Sequence, residues 1–461
     1  MNGLRSLTRV YASLLLVASL FFVVGFTWRD VNAAGYSGES VRMALMGLPD
    51  RMGMLLEKPE IGQGELPVRA TYQATLNTIV DRFYVPASTM ETPVIPKEAN
   101  PRLVDTQQLT YMAVRGILAS LQDPYTSFMD PEDYRKMREE NDGNFVGIGA
   151  QLGQRQNGQI YVVEPLPDTP AMRAGVRKQD TILKVDGKSI AGMEIDEVVK
   201  MIRGPENTKV TLELGRSGEE KPVVITIVRQ VVEFRMVKYQ MLDEAQKIGY
   251  VRLYQFNQKA DAQLDLALGE LESKGMEALI LDLRSNPGGL LESAVDISSR
   301  FIKSGPVVVI QERGGERKRI DSDPARHNHG IYPLVVLVNE QSASASEIVA
   351  GAIKDTDAGT LVGVKTFGKG RVQTIVPLPG DSAVRITTAK YLTPNLTDIH
   401  QKGIEPHIEV KLPEEDLNAA ASDDSSAEDD LLANDSQLKK ALDVMREKMA
   451  GRFKLPAQAK R

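Results

Sequence analysis

Two nearly unbroken apolar runs, Ala278-Leu-Ile-Leu-Asp-Leu283 and Leu334-Val-Val-Leu-Val338, set the narrowest limit on the fold. Neither alternates polar with apolar residues, so both faces of each run need cover, the pattern of strands inside a sheet layered by helices. Each run opens into a turn rich in glycine or serine and then into a helical pattern. Strand and helix patterns alternate in this way over 232–411, which predicts an α/β core. With 461 residues the chain exceeds one compact core, so further modules are expected around it.

Those modules differ in period. Over 67–143 the pattern is helical, with one stripe at Leu76, Ile79, Val80 and Phe83 and another at Leu109, Met112, Ala113, Ile117 and Leu121. Over 144–231 it becomes short strands (160–163, 181–185, 210–214 and 223–228) around one helix at 194–202, a small and mostly β module. The stretch 412–436 is acidic, and 414–435 holds no Lys or Arg, as in a solvated linker. Over 437–461 a last helix places Leu438, Ala441, Leu442, Met445 and Met449 on one face, expected to dock on the body or on a second subunit. At the other end, Arg5 and Arg9 precede an apolar run from Val10 to Phe26 and the small-residue stretch Val31-Asn-Ala-Ala34. Residues 1–33 therefore read as an export signal, with cleavage favoured and an uncleaved membrane anchor as the alternative, and 34–66 as a tether. The expected fold class is multidomain α/β: a helical N-terminal region, a small β module, an α/β core and a C-terminal helix.

Composition narrows the chemistry. A net charge of -6 gives no basic footprint for nucleic acid, and the absence of cysteine removes disulfides, thiolate metal sites and a cysteine nucleophile. The four histidines, His327, His329, His400 and His407, stand in no metal-type spacing, so neither metal nor cofactor is expected.

Three segments carry the chemistry. Leu334–Val338 runs into Asn339-Glu-Gln-Ser-Ala-Ser344-Ala-Ser-Glu347, a strand turning into a helix whose first turn holds several hydroxyls. Unpaired N–H groups and the positive dipole end of such a helix can stabilise an oxyanion beside a serine nucleophile, although serine there is also an ordinary N-cap. In Thr366-Phe-Gly-Lys369-Gly-Arg-Val-Gln373 one lysine stands between two glycines. Burial in a dry cleft would lower its pKa and make it a general base; exposed, it is only a loop residue. Leu281-Asp-Leu-Arg284-Ser-Asn-Pro-Gly288-Gly289 is a strand opening into a turn whose glycines can offer backbone N–H groups. Gly363–Gly370 matches a phosphate loop except at its end, where Gly370 lacks the hydroxyl that would bind magnesium.

Together and in this order, the three segments resemble the carboxyl-terminal processing peptidases, or tail-specific proteases. That family pairs the serine of a T/S-A-S-A-S-E segment with the lysine of F-G-K-G, and the 25-residue separation of Ser344 and Lys369 matches it. The likeness extends over about 68–411, including Lys402-Gly-Ile-Glu-Pro406, and departs from the family at Thr393-Pro-Asn-Leu-Thr-Asp-Ile-His400. It implies Ser344 as nucleophile, Lys369 as base, Gln373 orienting the lysine, and an oxyanion hole from Ala345 N–H with Gly288 or Gly289. It also implies that 144–231 is a PDZ domain whose Phe145-Val146-Gly147-Ile148-Gly149 segment binds a terminal carboxylate. The expected function is an exported serine endopeptidase, periplasmic or in the cell envelope, which captures protein C-termini and cleaves through an acyl-enzyme. Protein substrates are the expected partners, with a second copy or an activating adaptor left open. Two rivals are a PDZ adaptor or holdase with an inactive protease fold and a Ser-His-Asp hydrolase drawing on one of the four histidines.

Overall fold

The computed structural model describes residues 71–75, 106–155, 157–411 and 435–455. Residues 1–33, read above as an export signal, the expected tether, the Leu76–Phe83 stripe and most of the acidic linker lie outside them. The chain divides into two compact units, 1–106 and 107–461. In the first, residues 71–75 are helical; the elements below belong to the second apart from the first residue of α1.

Helix α1 (Thr106–Ala119) departs from its expected packing. Met112 and Ile117 of the predicted stripe are 47% and 65% exposed. Contact is made instead by Tyr111 and Arg115, one turn apart, with Tyr111 4.9 Å ring to ring from Phe128 and the Arg115 guanidinium 5.6 Å from the same ring. Phe128 lies in β1 (Ser127–Met129), which Asp130 joins to α2 (Pro131–Asp142). Asp130 caps that helix by accepting from the N–H groups of Glu132 and Asp133, and Gly143 ends it at φ 74°.

The small β module hangs on a two-stranded ribbon, β2 (Asn144–Gly147) antiparallel to β9 (Gln230–Glu233). Between them come β3 (Ala150–Gln154), β4 (Ile160–Pro165), α3 (Pro170–Arg173), β5 (Thr181–Val185), β6 (Lys188–Ser189), α4 (Ile195–Ile202), β7 (Lys209–Gly215) and β8 (Val223–Val228). The sheet order is β3-β4-β5-β7-β8, with β6 beside β5. Strict alternation in β7 buries Val210, Leu212 and Leu214 completely, and Val198 and Ile202 of α4 join the same core.

The α/β core follows: β10 (Val237–Asp243), β11 (Ile248–Leu253), α5 (Ala260–Ser273), β12 (Ala278–Asp282), α6 (Leu291–Phe301), β13 (Pro306–Glu312), β14 (Arg317–Asp321), β15 (Leu334–Val338), α7 (Ala345–Asp355), β16 (Thr360–Gly363), β17 (Arg371–Leu378), β18 (Ser382–Leu392), β19 (Ile408–Glu409) and, after the linker, α8 (Ser436–Met449). One sheet runs β10-β11-β12-β15-β16-β19, parallel from β11 onward. Its two apolar central strands are covered on both sides, as their sequences demand. Leu279, Leu281, Val336 and Val338 face α5, α6 and α7, while Ile280, Val335 and Leu337 face α8. Helix α8 docks through Leu438, Ala441, Leu442, Val444 and Met445, the larger four each contributing about 1.5–3 kcal/mol. A second, antiparallel sheet joins β1, β18, β13 and β14, with β17 paired to β18. The fold is thus multidomain α/β, and the loops leaving β12, β15 and β16 gather at the carboxyl end of the parallel sheet, where open α/β folds bind ligands.

Candidate active site

Three serines crowd the turn after β15, and the structure separates them by role. Ser342 and Ser346 are fully buried, their hydroxyls donating to Leu283 O at 2.8 Å and Asn286 O at 2.9 Å. Both tie this turn to the one after β12. Ser344 is only partly buried and holds a left-handed backbone, φ 56° and ψ −113°, at the N-cap of α7. For a non-glycine residue that conformation is strained, and it persists only where neighbours enforce it. One of those neighbours is Glu347, which accepts the Ser344 N–H at 2.9 Å.

Glu347 reaches further. Its completely buried carboxylate accepts Thr366 Oγ1 at 2.6 Å, Gly368 N–H at 2.7 Å and Lys369 N–H at 2.8 Å. One side chain therefore pins the backbones of both Ser344 and Lys369. Burial raises its pKa, and the four donors oppose that shift. Glu347 carries no expected role from sequence, yet Ser344-x-x-Glu347 is a capping-box pattern that flags it. The glycines around Lys369 are required by close backbone approach: a Cβ on Gly368 would lie 2.9 Å from Gly403 N, and one on Gly370 2.9 Å from His400 N. The His400–Gly403 stretch thus closes over the lysine loop. Burial first, then the nearby Arg385 charge, lowers the Lys369 pKa, while Glu347 pulls it up. The Lys369 ammonium lies 5.3 Å from the Tyr125 ring centre, a cation–π arrangement, and among the described residues it has no hydrogen bond to Ser344.

The turn after β12 abuts the serine so closely that a Cβ on Gly288 would come within 2.7 Å of Ser344 Cβ and 2.8 Å of Ala345 N. Gly288 N–H is engaged by Asn286 Oδ1 at 2.9 Å. The N–H groups of Gly289 and Ala345 have no acceptor among the described residues. Asn286 is buried, donates to Leu253 O at 2.8 Å, and accepts Ala343 N–H on its own carbonyl at 3.1 Å. It is a second organising residue without an assigned role in the sequence analysis, signalled there only by the Asn-Pro-Gly turn.

Other expected residues are placed differently. Gln373 donates to Arg371 O at 3.1 Å and makes no hydrogen bond to Lys369. Phe145, Val146 and Gly147 are ladder residues of β2, with the Phe145 ring 4.9 Å from both Phe234 and the Arg203 guanidinium. Only Ile148 and Gly149 lie in the turn entering the module's sheet; both are buried, and their N–H groups have no acceptor among the described residues. No strand-to-helix phosphate loop forms at Gly363–Gly370, because the chain enters strand β17 instead. His329 lies between Asp265 and Glu272, His407 accepts Leu361 N–H, and His400 stands edge-on to Tyr125 at 5.9 Å. None bonds Ser344. Among the described residues no group of three or more His, Asp or Glu is arranged to hold a metal.

Comparison with known proteins bears on this arrangement. The sequence profile of Peptidase family S41 matches residues 247–410, and that of a PDZ domain matches 161–216. The chain is 42% identical over 319 residues to the carboxy-terminal-processing protease of Bartonella bacilliformis, covering 67% of this chain and 71% of that one. It is 38% identical over 315 residues to the carboxyl-terminal-processing protease of Synechocystis sp., covering 68% and 73%. Among solved structures it matches a photosystem II D1 C-terminal processing protease at 33% identity and a TM-score of 0.42, over 68% of this chain and 84% of that one. The chain belongs to the carboxy-terminal-processing proteases of peptidase family S41 and is a serine peptidase with a PDZ domain.

Proposed function

We propose that this peptidase works through a Ser344–Lys369 dyad, is exported, and captures substrates by their C-terminal tails. The observation that carries the dyad is the Glu347 carboxylate, which holds the backbones of both residues at once. Ser344 is presented on a strained turn at the N-terminus of α7, and Lys369 is a lysine whose pKa burial has lowered. Neutral Lys369 takes the Ser344 proton as Oγ attacks the peptide carbonyl, and the developing oxyanion is met by Ala345 N–H and Gly289 N–H. The ammonium then protonates the leaving amine, so the peptide C–N bond breaks and an ester remains on Ser344. Water, deprotonated by the same lysine, hydrolyses that ester. Turnover requires the lysine to leave the Tyr125 ring for Ser344 Oγ, and Gln373 to turn from Arg371 O toward the amine.

Tail capture rests on the free Ile148 and Gly149 N–H groups beside β3, to which an extended peptide could add. The PDZ module meets the body through the β2–β9 ribbon and the Lys200–Glu132 and Arg203–Glu139 ion pairs, at 3.0 and 2.7 Å. A bound tail that shifts this joint would move α2, which packs against β1 and β18. Export rests on the sequence of residues 1–33. The test is cleavage of an unstructured protein with an apolar C-terminus. Ser344→Ala and Lys369→Ala are each expected to lower kcat by about 10⁴-fold or more; retention of activity in either refutes the dyad. Equal cleavage of a tail-amidated substrate refutes tail capture, and recovery of the chain from the cytoplasm with residues 1–33 intact refutes export.

A further inference from the structure

Glu347 holds the two proposed catalytic residues by their N–H groups; a second buried side chain holds them by their carbonyls. Tyr391, on β18, is 3% exposed. Its hydroxyl lies 3.1 Å from Ser344 O and also within hydrogen-bonding reach of Lys369 O. Its own N–H donates to Gly370 O at 3.3 Å, so the residue grips the lysine loop twice and the serine turn once. A buried tyrosine needs one partner for its hydroxyl, and one carbonyl would suffice. Here the single proton is shared between two carbonyls that come from different elements and belong to Ser344 and Lys369.

We infer that Tyr391 is a positioning residue for catalysis, its hydroxyl setting the separation of Ser344 and Lys369 by bridging their carbonyl oxygens. This rests on the dyad reading above. The two residues belong to separate loops, after β15 and after β16, and the lysine loop leads directly into the other sheet through β17. The Phe367 N–H bond to Ser342 O at 3.1 Å joins the loops two residues away from each member of the dyad, so their spacing at the dyad itself is left to side chains, and a fraction of an ångström there matters for proton transfer. Glu347 ties the amide side and Tyr391 the carbonyl side, so the loops can neither part nor pivot about one contact. Tyr391 touches no substrate in this role and acts only through the two residues it spans. Its strand carries the message outward: β18 pairs with β1, two residues beyond the Tyr125 ring that meets the lysine ammonium, and with β13 opposite Ile310.

The test is Tyr391→Phe, which keeps the ring in the core and removes only the hydroxyl, measured beside wild type and Ser344→Ala. The readouts are kcat and KM on an unstructured substrate, the rate of Ser344 labelling by a fluorophosphonate, and a thermal melt. The expected result is a fall in kcat of about 10–100-fold with KM unchanged, the scale set by slight misplacement of reacting groups. The labelling rate should fall by the same factor at temperatures well below the melt, and the acid limb of kcat/KM should move to higher pH as the loosened lysine gains water. Wild-type kcat and labelling in the variant overturn the inference, as does a lower melting temperature with unchanged labelling, which marks a structural role only. A rise in KM alone overturns it too. Cleavage by Ser344→Ala would refute the dyad itself and this inference with it, an outcome distinct from the failure of Tyr391 alone.

Discussion

The serine bank of the cleft grows from adjacent parallel strands, whereas the lysine bank is strung between two sheets. On the first, β12 and β15 lie side by side, and their turns are bonded through Ser342, Ser346, Asn286 and the Asn339 side chain, which accepts Ser285 N–H at 2.8 Å. Strand register alone brings these partners together. On the second, the chain leaves the parallel sheet at β16 and enters the antiparallel one at β17, and the lysine between them is only partly buried. Its ammonium rests on Tyr125, which enters from the segment before β1. Ser344 is held by the turns of neighbouring strands, while the amine of Lys369, whose backbone Glu347 and Tyr391 hold, rests on Tyr125 and can be moved by whatever shifts that ring.

The largest effect away from the dyad should come from loosening the rigid bank. Asn286→Ala removes the bond to Leu253 O and the acceptor for Gly288 N–H, and is expected to cost about 1–3 kcal/mol in stability. It should lower kcat about 100-fold if the turn then ceases to aim an oxyanion donor; chemical denaturation and steady-state kinetics check both. Unchanged kcat would mean that the two banks do not differ as described.

A smaller effect tests the movable bank by pH. Because the folded-state pKa of Lys369 is lowered, its neutral form exists above that pKa, so kcat/KM should fall as pH drops through a midpoint below the ordinary lysine value of about 10.4. In the window between the folded and unfolded pKa values the unfolded chain binds the extra proton, so this group's contribution to stability rises with pH. Arg385→Gln removes a neighbouring positive charge and should move the acid limb to higher pH, read from a kcat/KM profile. The smallest effect is on stability. Gln373→Ala deletes one partly buried hydrogen bond within its own strand and should change the unfolding free energy by no more than about 0.5 kcal/mol. A large loss of kcat with that unchanged stability would sharpen the comparison, because it would show Gln373 reaching the lysine only during turnover.

The same contrast governs what the sequence disclosed. Leu334–Val338 and the hydroxyl-rich helix start were legible because a doubly buried strand and a helix cap are local patterns. The glycines flanking Lys369 were legible too, since close backbone approach tolerates no Cβ. Which N–H groups stay free was not: Gly288 and Gly289 look alike in sequence, and only the Asn286 side chain separates them. The rotamer of Gln373, the docking of α1 through Tyr111 and Arg115, and the capture of Phe145–Gly147 by β9 depend on partners distant in the chain. Glu347 went unassigned for a different reason. Its neighbours Thr366 to Lys369 lie about twenty residues on, and nothing in a capping pattern announces a second loop.

Helix α8 has a consequence for the working life of the molecule. Arg284, two residues before Asn286, pairs with Asp282 at 2.6 Å and with Asp435, the cap of α8, at 2.7 Å, and also donates to Gln437 at 3.2 Å. A peptidase of a family named for processing carboxyl termini therefore has a late segment of its own chain built into the floor beneath the turn that faces Ser344. Loss of α8 would leave Arg284 without its second carboxylate and strip the cover from Ile280, Val335 and Leu337. Cutting the chain in the stretch before Asp435 would turn that floor into a detachable part, so the enzyme's durability depends on sparing its own tail.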